Sequence, residues 1–176
     1  MKVIDLKLRG TSPLLMHNVR MANPLDKYAK EMGRLNKAKK VKGADKESLA
    51  EQMARVEWEG GLYHSTTDFG TDDNAGPYLP ARNIHKAILE AARMSREGQG
   101  VEQGAFTAAP KFPLVYDGPR AVQELYDAGF VDQRMVVVGQ AKVLRSRPMF
   151  ASWSTSIRFA VQPEVCDLDR FVEFVK

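Results

Sequence analysis

Val3-Ile4-Asp5-Leu6-Lys7-Leu8-Arg9 alternates apolar and charged residues from Ile4 onward. Ile4, Leu6 and Leu8 point one way, and Asp5, Lys7 and Arg9 point the other. A period of two is the signature of a half-buried strand. Thr11-Ser12-Pro13 ends it, and Leu14-Leu15-Met16 reads as a short continuation of the sheet after a bend. Working outward, Ser154–Val161 repeats the pattern, with Ile157, Phe159 and Val161 set against Ser156, Arg158 and Ala160. Met135–Leu144 reads as the strongest single strand. The two are expected to pair, joined by a loop that carries Arg145, Arg147, Pro148, Phe150 and Trp153.

Helical signals fall between these strands. The first half of 27–46 can form a helix, and Lys39–Gly43 buries too little to offset ordering entropy. Residues 46–57 place Leu49, Met53 and Val56 at helical spacing, with Gly60-Gly61 as the stop. Leu62–His64 reads as a short strand and 65–76 as a turn. A helix is expected over 83–96, capped by Asn83 and ended by Gly98, with Ile84, Ala87, Ile88, Ala91 and Ala92 as its apolar stripe. Residues 98–113 read as loop, with a strand near 101–107. Leu114–Tyr116 reads as a strand, Pro119–Ala128 as a short helix closed by Gly129, and Asp167 as the cap of a last helix. This order predicts a single α+β domain over 1–176, an antiparallel sheet with helices on one face, and a basic insertion over 18–60 after the first strand.

Composition narrows the function. The 176 residues are 44% hydrophobic and 27% charged, a normal soluble balance. No apolar run approaches the roughly 20 residues of a membrane span, and the N-terminus lacks the apolar core of a signal peptide. The one cysteine, Cys166, allows no internal disulfide and suits a reducing cytoplasm. No zinc spacing or Gly-rich phosphate loop is present, so no metal and no cofactor is expected.

Charge is concentrated. Residues 27–46 hold eight basic and two acidic side chains, a net +6, while the whole chain is +4. From Arg134 to Arg158 there are five basic residues and no Asp or Glu. Two acid-poor segments form an electrostatic footprint for a polyanion.

Two motifs resemble the RAMP proteins, above all the Cas7-like backbone subunits of CRISPR effectors. The first is the opening strand followed by Thr11-Ser12-Pro13-Leu14-Leu15-Met16. The second is Tyr78-Leu79-Pro80-Ala81-Arg82-Asn83-Ile84-His85-Lys86-Ala87-Ile88, which is similar to that family's Pro-Gly-Ser helix start. About 25 residues carry the likeness. Ala81, Arg82, His85 and Lys86 depart from the family pattern, and its C-terminal Gly-rich loop is missing. The arrangement also resembles early phage replication proteins. The resemblance implies a modified RRM-like (ferredoxin-like) sheet, strand binding through the backbone, and assembly along the strand.

The candidate nucleic-acid-binding residues follow from both readings. Arg20, Lys27, Lys30, Arg34, Lys37, Lys39, Lys40 and Lys42 can clamp a phosphate backbone. Arg82, Asn83, His85 and Lys86 cluster at a predicted helix N-terminus, which favours an anion. Arg145, Arg147 and Arg158 can meet phosphates, while Phe150 and Trp153 either stack on bases or pack in a core. Glu57, Trp58 and Glu59 read as structural. Asp68, Asp72 and Asp73 read as a turn rather than a calcium loop. His17 near Asp26 lacks a nucleophile or an orienting third group, so catalysis is not expected. The function expected is a sequence-tolerant single-stranded nucleic-acid binder, single-stranded DNA before RNA, that self-associates along the strand and has no membrane partner. The alternatives are an assembly or inhibitor module docking on a Cas7-like complex, a phage structural protein, or a nuclease.

Overall fold

The computed structural model describes residues 1–69 and 76–176. The chain is α+β with antiparallel pairing throughout. In order it forms β1 (Lys2–Arg9), β2 (Leu14–Leu15), a 3-10 turn at Val19–Ala22, α1 (Lys27–Ala38), α2 (Lys46–Gly61), α3 (Ser65–Phe69), β3 (Tyr78–Pro80), α4 (Ala81–Met94), α5 (Gly98–Gly104), β4 (Ala105–Thr107), β5 (Lys111–Pro113), α6 (Val122–Asp127), β6 (Val131–Val138), β7 (Ala141–Phe150), β8 (Ser154–Val161) and α7 (Leu168–Val175). These elements group into two compact units. The first comprises Met1–Arg9, Tyr78–Val115 and Ser154–Lys176; the second comprises Gly10–Pro77 and Tyr116–Trp153. Among the described residues no helix is long and apolar enough to cross a membrane.

The first unit is built on a three-stranded sheet of order β1-β8-β4. The alternation read in β1 and β8 is the pleat of this sheet. Ile4 and Thr107 both stand opposite Phe159, and Leu6 stands opposite Ile157. That face is buried: Phe159 stacks edge-on against Phe171 of α7 at 5.1 Å and lies 6.3 Å from the His85 ring of α4. The opposite face carries the exposed residues of β1 and β8, so α4 and α7 cover one side of the sheet. Thr155 donates to Pro113 O at 2.8 Å, tying the small β3–β5 ladder to β8.

In the second unit α1 and α2 bury Tyr28 and Leu35 on one helix and Ala54 and Trp58 on the other. The Trp58 indole N–H donates to Phe130 O at 2.8 Å, and its ring meets Tyr126 edge-on at 5.1 Å. Tyr116, Phe130 and Phe150 complete an aromatic cluster, each ring pair within 5.4 Å. Asp26 and Asp45 cap the two helices by accepting N–H bonds from Tyr28 and from Glu47 and Ser48.

Several expectations are corrected. Met135–Leu144 is not one strand but the tip of a hairpin, with β6 paired to β7 from Val131↔Pro148 to Val138↔Ala141. Its two-residue loop begins at Gly139, whose φ of 62° is the left-handed backbone that primed hairpin turns require. Consequently Met135–Leu144 does not pair with Ser154–Val161; β8 pairs with β1 and β4. The Arg145–Phe150 segment is strand, not loop. α2 runs through Gly60-Gly61, which pack against Met21 and Pro148. Leu14-Leu15 joins β7 rather than the sheet of β1. Gly98 begins α5 instead of ending α4, and Asn83 does not cap α4, whose N-cap is Pro80 with no side-chain bond. Leu62–His64 and Leu114–Tyr116 contribute only isolated bridges, at His64 and Val115. Residues 65–69 are helical. Asp72 and Asp73 lie outside the described residues.

Candidate nucleic-acid interface

α1 is the densest source of free positive charge. Lys27, Lys30, Arg34 and Lys37 are spaced three, four and three residues apart, so they share one helix face. All four are exposed, as are Lys39, Lys40 and Lys42 just beyond the helix. The buried side of α1 is fixed by Tyr28 and Leu35, which turns the basic stripe to solvent. Arg34 is held by Glu31 through two N–H bonds at 2.6 and 2.8 Å, which lowers the Glu31 pKa and raises that of Arg34. Lys27 sits over the Tyr28 ring at 4.8 Å. The six lysines make no ion pair among the described residues.

Arg20 does not belong to this surface. Its side chain is 12% exposed and pairs with Asp68, and its guanidinium lies 5.5 Å from the Tyr28 ring centre. Nearby, the buried His64 donates from Nε2 to Arg120 O at 2.8 Å and accepts the Thr66 N–H at Nδ1. Asp26 accepts the Tyr28 N–H as the α1 cap, and among the described residues it makes no hydrogen bond or ion pair with His17. Among the described residues no group of three or more His, Cys, Asp or Glu can hold a metal ion.

The acid-free run from Arg134 to Arg158 is not acid-free in space. Arg145 donates to Glu57 Oε1 at 2.6 Å, while Oε2 accepts the Ser146 N–H at 3.0 Å. Arg134 pairs with Asp132, and Arg158 with Asp5 directly across the β1–β8 ladder at 2.6 Å. The Arg158 hydrogen bond depresses the Asp5 pKa, and the Asp5 bond raises that of Arg158. Arg147 is half-buried on β7 opposite Asp132. Phe150 is fully buried in the aromatic cluster, so it cannot stack on a base. Trp153 lies over Gly10, where an added Cβ would fall 2.1 Å from the indole nitrogen, and its N–H donates to Ser12 O. The half-buried ring thus packs on the backbone of Gly10.

At the start of α4, Arg82, Asn83 and Lys86 are exposed. His85 is not part of that surface: its Nε2–H donates to Ala105 O at 3.0 Å and its ring packs on Phe159, tying α4 to the sheet.

One surface escaped the sequence reading. Val3 and Phe106 both stand opposite Ala160, so they share the uncovered face of the β1-β8-β4 sheet. Period-two alternation adds Lys7 and Arg9, opposite Ser156 and Ser154, beside the Asp5–Arg158 pair. Phe106 is 46% exposed. The alternation of β1 signals which residues leave the core, but only the register brings an aromatic from β4 alongside them. A positively charged sheet face with an exposed ring can hold a phosphate and stack a base.

No protein-family model matches the chain, and no curated protein or solved structure matches it either.

Proposed function

We propose that this chain binds single-stranded nucleic acid with little sequence preference, single-stranded DNA before RNA. The observation that carries the reading is the lysine surface of α1 and its C-terminal extension. Six lysines stand in solvent with no carboxylate partner among the described residues, whereas the arginines at positions 20, 34, 134, 145 and 158 are each held by one. Cations left unneutralised release counterions when they meet phosphate. An RRM-like use of the β1-β8-β4 sheet belongs to the same reading, with Phe106 as the stacking ring and Lys7 and Arg9 on the backbone. So does self-association along the strand: β1 and β6 each leave one edge unpaired among the described residues, and open edges invite another chain. Binding titrations of single-stranded DNA, double-stranded DNA and single-stranded RNA across a salt series test it. The expected result is tightest binding to single-stranded DNA with a steep inverse dependence on salt. No binding to any of the three at 50 mM salt, a condition at which phosphate contacts are strong, ends the proposal.

A further inference from the structure

The second unit contains a cleft of about 670 Å³ between α1, α2 and the β6–β7 hairpin. Its volume falls within the roughly 300–1,000 Å³ of small-molecule sites. Four methionines form much of its wall: Met21, Met32, Met53 and Met135. Thioethers are polarizable, adapt their shape, and make favourable contacts with aromatic rings.

Among the described residues, the charges along the cleft that carry no partner are positive. Among the described residues Glu57 is the only carboxylate that lines it, and both of its oxygens are taken, by Arg145 and by the Ser146 N–H. Lys39 and Lys142 also line it, from the end of α1 and from β7, and both are exposed. Asn36 adds an exposed side-chain amide, a donor–acceptor pair of the kind that matches a base edge. Lys39 is at the same time the first residue beyond α1 in the lysine surface described above.

We infer that this cleft receives an unstacked nucleobase from the bound strand, with Lys39 and Lys142 meeting the flanking phosphates. The inference rests on the nucleic-acid reading and deepens it. An acyl anion would also suit methionine walls. It carries one charge at one end, however, and would leave the second cation and the Asn36 amide without a role. A nucleotide in a strand uses all three: a flat aromatic ring, polar edges, and a phosphate on either side.

The test compares an oligothymidylate with an abasic oligomer of the same length, using the full-length protein. The expected result is binding of the abasic strand about tenfold weaker, within the range for loss of base contacts, at an unchanged salt slope. Met53→Trp fills the cleft and should cut this discrimination several-fold. Met135→Gln lies on a 60% exposed hairpin position, so it leaves folding intact and should reduce discrimination in the same direction. Equal binding of the two strands by the wild type overturns the inference, as does discrimination that both variants leave unchanged. Saturable binding of dodecanoate together with equal binding of the strands assigns the cleft to an acyl anion instead. Failure to bind either oligomer at low salt removes the underlying reading as well, which separates that failure from failure of the cleft alone.

Discussion

Glu57 governs how much of the positive charge on β7 is available. Its carboxylate neutralises Arg145 and satisfies the N–H of Ser146, a fully buried residue. Glu57 is 88 residues from Arg145 in the chain, which is why the run from Arg134 to Arg158 reads as acid-free in sequence and is not so in the fold. The same reason applies to Arg20 and Arg158: local counting finds the cations but not their distant partners. Replacing Glu57 by Ala should therefore act in two opposite directions. Stability should fall by about 1–3 kcal/mol, the cost of a buried donor left without an acceptor, read by urea denaturation. Affinity for single-stranded DNA should rise, and its salt slope should steepen by about 0.7, since one more cation is free to meet phosphate. Unchanged affinity and an unchanged salt slope in a variant that remains folded would show that Arg145 faces away from the strand.

At the scale of elements, legibility tracked periodicity. β1, β8, the first turns of α2 and the whole of α7 are marked by apolar spacing or by a capping Asp, and each forms where its pattern predicts. The β6–β7 hairpin was not legible, because Met135–Leu144 is a nearly unbroken apolar run whose turn rests on the backbone of one residue, Gly139. Exposure explains the run: Met135 and Val137 are 60% and 69% exposed, so its apolar residues signal a surface rather than a core strand. α1 is the reverse case. Its sequence is too polar to announce a packed helix, yet Tyr28 and Leu35 suffice to seat it on α2 and turn the lysines outward. Neutralising Lys37, Lys39, Lys40 and Lys42 together to Gln should leave the denaturation midpoint nearly unchanged, because all four are exposed. It should flatten the salt slope for single-stranded DNA by about 3, from roughly 0.7 per lost phosphate contact. An unaltered slope would reduce the segment to a solvated helix end.

At the scale of the molecule, the two compact units are each assembled from separated stretches of chain, and they carry the two surfaces with different chemistry. The first unit offers a sheet face that carries Phe106 in one row with Val3, and Lys7 and Arg9 further along β1. The second offers the lysines of α1. That Phe106 and Val3 share a face cannot be read from local sequence, since β4 meets β1 only through the intervening β8. The division predicts separable energetics. Phe106→Ala removes a stacking ring without removing charge, so it should weaken single-stranded DNA binding by about 1–3 kcal/mol while leaving the salt slope intact. The lysine variant should change the slope. Combined in one chain, their effects on binding free energy should add, because sites without shared partners are independent to within roughly 0.5 kcal/mol. Titrations of the four proteins at two salt concentrations measure this. A combined effect much smaller than the sum would mean that a strand engages one surface at a time. A Phe106→Ala loss that vanished at high salt would mean that the ring contributes through charge contacts of its sheet face rather than by stacking on a base.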